Sequence, residues 1–418
     1  MILLLFIVVL LALLGLPLFI ALAAGGLYAS YATELNPSIL IIELYRLANQ
    51  PNLMTIPLFT LAGMTMAAGG SPQRLIKLFN ALLGWMPGGL AMAAIVACAF
   101  FTAFTGASGV TIIALGGLLY PLFMQSNYPE RFSLGLLTSS GSLGLLFPPS
   151  LAILLYGIVS GTNIDELFLA GIVPGIILLV LLSLYSYKSA RHWHKPAHPF
   201  SWSVLASAVR ESLWDIFLPI LVIVGIFGGF VTISEAAAVT AAYALFVEAV
   251  VYREIKLLDD LPKILIDTAK LVGSILIILG VAMGLTNILI DTQLPSRLLA
   301  FTDSFIHSPL EFLLALNLFL LIIGAMMDIF SAIVVVVPLI MPLAHRYQID
   351  PVHLGIIFLA NLEIGYMTPP VGINLFIASQ RFGKSILTLF RSAMPFLGIM
   401  LIWLLMISYI PALTLWWK

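Results

Sequence analysis

Long apolar runs dominate the chain, and the polar breaks between them fall at matching places in its two halves. The runs are 2–14, 16–33, 38–69, a pair at 89–104 and 110–124, then 132–159 and 164–187. After a polar stretch come 214–231, 235–253, 262–290, a pair at 311–326 and 331–344, then 352–380 and 390–413. A membrane-spanning helix needs about 20 apolar residues, so most of these runs predict spans. Segment 2–14 is short for one, and Gly15-Leu16-Pro17 reads either as a turn or as a kink. Each half has the same order: three helices, an apolar pair, one long interrupted segment, a closing helix. The expected fold is an all-α polytopic membrane protein made of two repeats.

The repeat shows in the helix breakers. With an offset of 221, Pro121-Leu122 falls on Pro342-Leu343, Gly144 on Gly365, and Pro148-Pro149 on Pro369-Pro370. Upstream the offset is 223, where Pro72, Arg74 and Leu75 meet Pro295, Arg297 and Leu298. Interrupted apolar segments at corresponding positions of two halves point to a secondary transporter with its site at the repeat interface.

An apolar pair crosses the membrane either zero or two times. Each half otherwise crosses an odd number of times, so the second half is inverted relative to the first and both termini share a face. With the termini outside, the cytoplasmic segments collect Arg74, Lys77, Arg131, Lys188, Arg191, Lys195, Arg210, Arg253, Lys256, Lys263, Arg381, Lys384 and Arg391. The outer segments keep only Arg46, Arg297, Arg346 and Lys418. The positive-inside rule selects this orientation. Trp416 and Trp417 suit an interfacial anchor.

Composition agrees. Hydrophobic residues make up 61% and charged residues 9%, against about 25% charged in soluble domains. A net charge of −1 gives no sign of a nucleic-acid partner. The lone Cys98 excludes an intrachain disulfide framework. No Lys or Arg precedes Arg46, so residues 1–24 read as a retained membrane segment, not a cleaved leader. No G-x-S-x-G, H-E-x-x-H or nucleotide-binding loop occurs; the expectation is a non-enzyme without its own ATP engine. Ser189 to Glu211 is the long polar linker, and Trp193, Trp202, Val204, Leu205 and Val209 suggest a surface-lying amphipathic helix. His192, His194 and His198 lack carboxylate or cysteine companions, so a solvated linker is preferred to a metal site.

Four stretches carry candidate chemistry. Thr105-Gly106-Ala107-Ser108-Gly109 joins the first apolar pair. It is an interfacial turn if the arms cross fully. If they re-enter, it sits mid-membrane, where helix N-termini suit anions and unwound carbonyls suit Na⁺. Its counterpart is Met326-Met327-Asp328-Ile329-Phe330-Ser331. Asp328 is then a cap or turn residue, or a cation-linked carboxylate. The interrupted segments carry Thr138-Ser139-Ser140-Gly141-Ser142 before Phe147-Pro148-Pro149-Ser150, and Asn361-Leu362-Glu363 before Thr368-Pro369-Pro370-Val371-Gly372 and Asn374. Paired prolines remove donors and disfavour helix before them. The freed carbonyls then need protein, water or an ion. Glu363 could bind a cation or proton, or form an internal ion pair. Thr232-Ile233-Ser234-Glu235 reads as a structural capping box.

These motifs resemble the large membrane subunit of TRAP (tripartite ATP-independent periplasmic) transporters. The matching stretches are Ile56-Pro-Leu-Phe-Thr-Leu-Ala-Gly63, Thr105–Ser108, Gly141–Ser150, Glu235–Val239 and Gly365–Asn374, in order along nearly the whole chain. The resemblance implies an elevator fold. Scaffold helices would lie at 1–69 and 214–290, transport parts at 70–188 and 291–418, and a linker at 189–213. Re-entrant hairpins would occupy about 89–124 and 311–344, and broken helices about 132–159 and 352–380. It implies uptake of an organic acid with Na⁺ and no organic cofactor. One cation site falls among Gly106, Ser108, Ser140 and Gly141, the other among Asp328, Ser331, Asn361, Thr368 and Pro369. Substrate is expected between the tips, with Thr105, Ser108, Ser139, Asn361, Thr368 and Asn374 as candidates. Implied partners are a separate four-helix small membrane subunit and a periplasmic substrate-binding protein. The implied location is the bacterial inner membrane, with both termini periplasmic. Ala107 and Gly109 flank Ser108 where family tips are often richer in Ser, so backbone carbonyls gain weight at the first site.

Overall fold

The structure is a computed structural model that describes residues 16–190, 199–291 and 304–418. Among them every regular element is helical. Segment 2–14, the linker histidines with Trp193, and the Pro295–Leu298 part of the repeat lie outside the described residues.

The first half begins with α1 (Leu18–Ala32), α2 (Ser38–Ala48) and α3 (Thr55–Ala68). The 38–69 run is therefore not one helix. The Asn49 side chain folds back onto the Tyr45 carbonyl at 3.0 Å, and Pro51 disfavours helix at the residue before it. A 3₁₀ turn from Pro51 to Met54 then leads into α3. Next comes α4 (Ser71–Leu83), an amphipathic helix that apolarity alone does not reveal. Proline in its first turn suits a helix start.

The first hairpin is α5 (Gly89–Thr105) and α6 (Ser108–Gln125), joined by only Gly106 and Ala107. The interrupted segment follows as α7 (Glu130–Ser140), a 3₁₀ turn at Leu143–Leu146, and α8 (Leu151–Ser160), bent by 46°. The closing helix is α9 (Ile164–Ala190). In the linker lies α10 (Trp202–Glu211), with Trp202 and Val204 exposed as its amphipathic pattern predicts.

The second half runs α11 (Leu213–Phe227), α12 (Ile233–Phe246, extended by a π-helical turn to Val251) and α13 (Leu261–Asp291). Thr232 and Glu235 form the expected capping box at the start of α12. The second hairpin is α14 (Pro309–Met326) with α15 (Ile329–Arg346). The second broken helix is α16 (Pro351–Gly365) with α17 (Ile373–Phe382), and α18 (Ile386–Tyr409) closes the half. Both proline pairs are cis.

Packing follows the repeat. α13 lies along α1, α2 and α3, and α12 packs on α3. The later part of each broken helix packs on the second arm of the opposite hairpin: α8 on α15, and α17 on α6. The halves are thus interlocked, and the two hairpin turns come to line one cavity. Turns at opposite membrane surfaces would stand about 30 Å apart, so both hairpins are re-entrant.

Arg74, read from the sequence as a loop charge, is buried in α4. Its guanidinium reaches Asp215 at 2.6 Å, Glu248 at 2.5 Å and Glu254 at 2.5 Å. Its Cζ stands 3.6 Å from the centre of the Tyr252 ring. Burial opposes ionisation of Glu254, but Arg74 and the Gly70 N–H outweigh it and hold the carboxyl below its usual range. This cluster fastens α4 to helices of the second half. Arg74→Ala leaves the buried Asp215 and Glu248 carboxyl groups without their partner. It is expected to lower stability by about 3–5 kcal/mol, measured by unfolding of the purified protein in detergent. Lys should not rescue, because one ammonium cannot reproduce the planar fork.

Candidate functional site: the cavity between the hairpin tips

The cavity measures about 500 Å³. Gly106, Ala107, Ser108 and Gly109 of the first tip and Asp328, Ile329 and Phe330 of the second both line it. Tyr366, Ile373 and Ile377 of the second broken segment, Leu145 of the first, and Leu271, Ser274, Ile275 and Ile278 of α13 complete most of the wall. A groove of about 730 Å³ between α4 and α10 is larger, but neither tip nor break lines it.

Close helix contacts fix the tips. A Cβ on Gly144 would overlap the Ala99 carbonyl of α5, and one on Gly365 would overlap the Gly324 backbone of α14. The repeat glycines therefore share one purpose: each lets a broken segment press against the first arm of its own hairpin. Gly63 does the same for α3 against Phe104 and Thr105. Gly106 adopts φ 64°, the left-handed region that favours glycine.

At the first tip Ala107 is the N-cap of α6 and supplies no side-chain hydrogen bond. The opening N–H groups of a helix carry partial positive charge, and here they border the cavity. Behind them Thr102 Oγ1 lies 2.8 Å from the Cys98 carbonyl, 2.9 Å from the Gly141 carbonyl and 2.7 Å from Thr111 Oγ1. One hydroxyl proton serves only one carbonyl at a time, so acceptor capacity is left over. The Ser108 carbonyl adjoins Gly141; a Cβ there would lie 3.2 Å from it. Ser108 and Gly141 are thus brought together. Ser140 is buried beside them in sequence.

The second tip is built differently. Asp328 caps α15, accepting from the Ser331 N–H at 2.9 Å and from the Ser331 hydroxyl. It also lines the cavity, so it is both a cap and an available carboxylate. The Ile329 N–H donates to the Tyr366 hydroxyl oxygen. In the break, the Val371 and Gly372 N–H groups donate to the Ala325 carbonyl at 3.1 and 3.2 Å. The Thr368 hydroxyl donates back to Ile364, 3.2 Å away, just before Pro369.

Other sequence candidates stand back from the cavity wall. Ser139 donates to the Gly135 carbonyl at 2.6 Å. Asn361 donates to Asn317 at 2.7 Å and Ile357 at 2.8 Å, and Asn317 in turn reaches Ser408 at 3.0 Å. The Asn374 side chain approaches Thr138 at 3.4 Å and Ser142 at 3.5 Å, joining the two broken helices. Thr105 Oγ1, Asn361 Oδ1, Asn374 Oδ1 and both Glu363 oxygens are buried without hydrogen-bond partners among the described residues. Among the described residues Glu363 has no ion-pair partner. Tyr366 and Ser274 escaped the sequence reading; an adjoining proline break was the only signal for Tyr366, and a lone hydroxyl in an apolar run the only one for Ser274.

The profile of the family described as "Tripartite ATP-independent periplasmic transporter, DctM component" matches residues 4–413. The chain belongs to this family. This DctM chain is 38% identical to the C4-dicarboxylate TRAP transporter large permease protein DctM of Pseudomonas aeruginosa, over 90% of the chain and 88% of that protein. It is 32% identical to the ectoine TRAP transporter large permease protein TeaC of Halomonas elongata, covering 97% and 96%. It is 34% identical to the isethionate TRAP transporter permease protein DctMQ of Oleidesulfovibrio alaskensis, over 87% of the chain but 57% of that longer protein. The fold is similar to the crystal structure of the YdaH transporter of Alcanivorax borkumensis, with TM-score 0.61, 14% identity, and 88% and 86% coverage.

The glycine contacts of this permease are testable. Gly144→Ala and Gly365→Ala force backbone apart and should each cost about 1–3 kcal/mol. Gly398 has open space around its Cβ position, so Gly398→Ala should instead stabilise α18 by about 0.5–1 kcal/mol. Detergent unfolding of the three variants checks the opposite signs.

Proposed function

We propose that this DctM permease imports an organic acid together with Na⁺ across the bacterial inner membrane, both termini being periplasmic. A periplasmic binding protein delivers the cargo, and a four-helix small membrane subunit completes the carrier. The extra length of the DctMQ relative suits a fused small subunit. The observation that carries the reading is the single cavity between two tips of opposite character. An anionic group of the cargo faces the uncapped start of α6. Na⁺ sits on oxygens near Ser108 and Gly141 at one tip, and near Asp328 and Ser331 at the other.

The motion we propose is an elevator. The hairpins and broken helices travel as one body, because Ala325, Tyr366 and the Gly144 and Gly365 contacts tie each hairpin to its break. The α1–α3 and α11–α13 helices stay in place. Leu271, Ile275 and Ile278 of α13 offer an apolar wall to slide along. An inward-negative potential assists each net positive charge by about 2.3 kcal/mol per 100 mV.

Proteoliposomes holding the permease, its small subunit and its binding protein test this with labelled succinate, isethionate and ectoine. An inward Na⁺ gradient should drive uptake of at least one. Asp328→Asn and Ser108→Ala should each lower the Na⁺-dependent rate by about tenfold or more, the scale of a lost hydrogen bond to an ion. Uptake that ignores Na⁺ would remove the coupling. Uptake without any binding protein would favour a stand-alone ion-coupled symporter on the same fold.

A further inference from the structure

We infer that Asp267 and Lys270 on α13 form a charged post at one mouth of the tip cavity, with Lys270 drawing in the anionic group of the cargo. The inference rests on the organic-acid reading above. Leu271, Ser274, Ile275 and Ile278 are the α13 residues in the cavity wall. Their spacing defines one helix face. Extending that face one turn toward the start of α13 lands on Asp267 and Lys270. At about 100° per residue, Asp267 falls between Leu271 and Ser274, and Lys270 about 40° past Ser274.

The contacts support this placement. Lys270 Nζ lies 3.4 Å from Asp267 Oδ1, so the ammonium leans toward the cavity face, not away from it. Both side chains are open, at 73% and 55% exposure. The stripe packed against the neighbouring helices shares Ile275 with the cavity face but is centred further round the helix, on Thr268, with Ile264, Val272 and Leu279 also buried. Charged residues inside an apolar span are costly, and ordinarily pair with each other and face a water-filled cavity.

The chemistry of the cavity gives the post its purpose. Among its described lining residues Asp328 is the only charged group, and no Lys or Arg is present. A carboxylate approaching it meets a negative charge. Lys270 offsets that charge. An exposed pair at 3.4 Å is weak, so the ammonium can leave Asp267 for a cargo carboxylate.

Thiol chemistry tests the proposal in the complete carrier, since Cys98 is buried and supplies no accessible thiol. Lys270→Cys should react with water-soluble methanethiosulfonates, and succinate with Na⁺ should slow that reaction. Its KM for succinate should rise about tenfold, the scale of a lost charge-assisted hydrogen bond, with the maximal rate held. The trimethylammonium reagent should restore KM, and the sulfonate reagent should not. Asp267→Asn, which frees the ammonium, should lower KM. A Cys at 270 that never reacts faces lipid or protein and overturns the proposal. So does equal uptake after either reagent, or an unchanged KM in both variants. Labelling needs no transport, so it reports the position even if Na⁺ coupling fails in the unaltered carrier.

Discussion

A backbone that leaves the helix inside a bilayer must find its partners in protein, water or bound ions. The second broken helix shows how that constraint is met. The Val371 and Gly372 N–H groups are satisfied by a single carbonyl, Ala325, on the hairpin arm alongside. That arrangement needs the arm within touching distance, which the Gly365–Gly324 contact allows. The prolines at 369 and 370 lessen the demand further by removing two donors. A break satisfied by its hairpin is also bound to it, so tip and break behave as one unit.

Duplication supplied the frame, and divergence supplied the site. At the offset of 221 that aligns the glycines and prolines, Ala107 corresponds to Asp328. One cap is a methyl group that leaves the helix end open to anions. The other is a carboxylate that fills its own helix end and still borders the cavity. The interlocking of α8 with α15 and α17 with α6 brings these unlike tips to one cavity. The proposed carriage of an anion together with a cation draws on these unlike polarities at one cavity.

Much of the architecture was legible because helix breakers are local signals. Pro148-Pro149, Pro369-Pro370, Gly144 and Gly365 marked both interrupted segments at their observed places. The hairpin pairs were legible from apolarity and a short polar turn. The break at Asn49–Pro51 was passed over although Asn49-Gln50-Pro51-Asn52 is a polar, proline-bearing stretch inside the run. The α4 helix was hidden because its charges looked like loop charges, and only the partners of Arg74 reveal otherwise. Of the residues that line the cavity, the sequence had singled out Ser108 and Asp328, which lie beside breaks. Tyr366 and Ser274 were harder to single out, because their place in the cavity wall is set by residues far away in the chain.

The Arg74 cluster also has a history in time. Its three carboxylates lie 141, 174 and 180 positions later in the chain. At about 5–20 residues per second of synthesis, Arg74 precedes the last of them by roughly ten to forty seconds. Throughout that interval α4 lacks its anchor, and Gly69-Gly70 before it has no carboxylates to press against. The amphipathic helix that leads into the first hairpin therefore acquires its final seat only after the first helices of the opposite half have emerged. Membrane insertion of this chain is, to that extent, completed backwards.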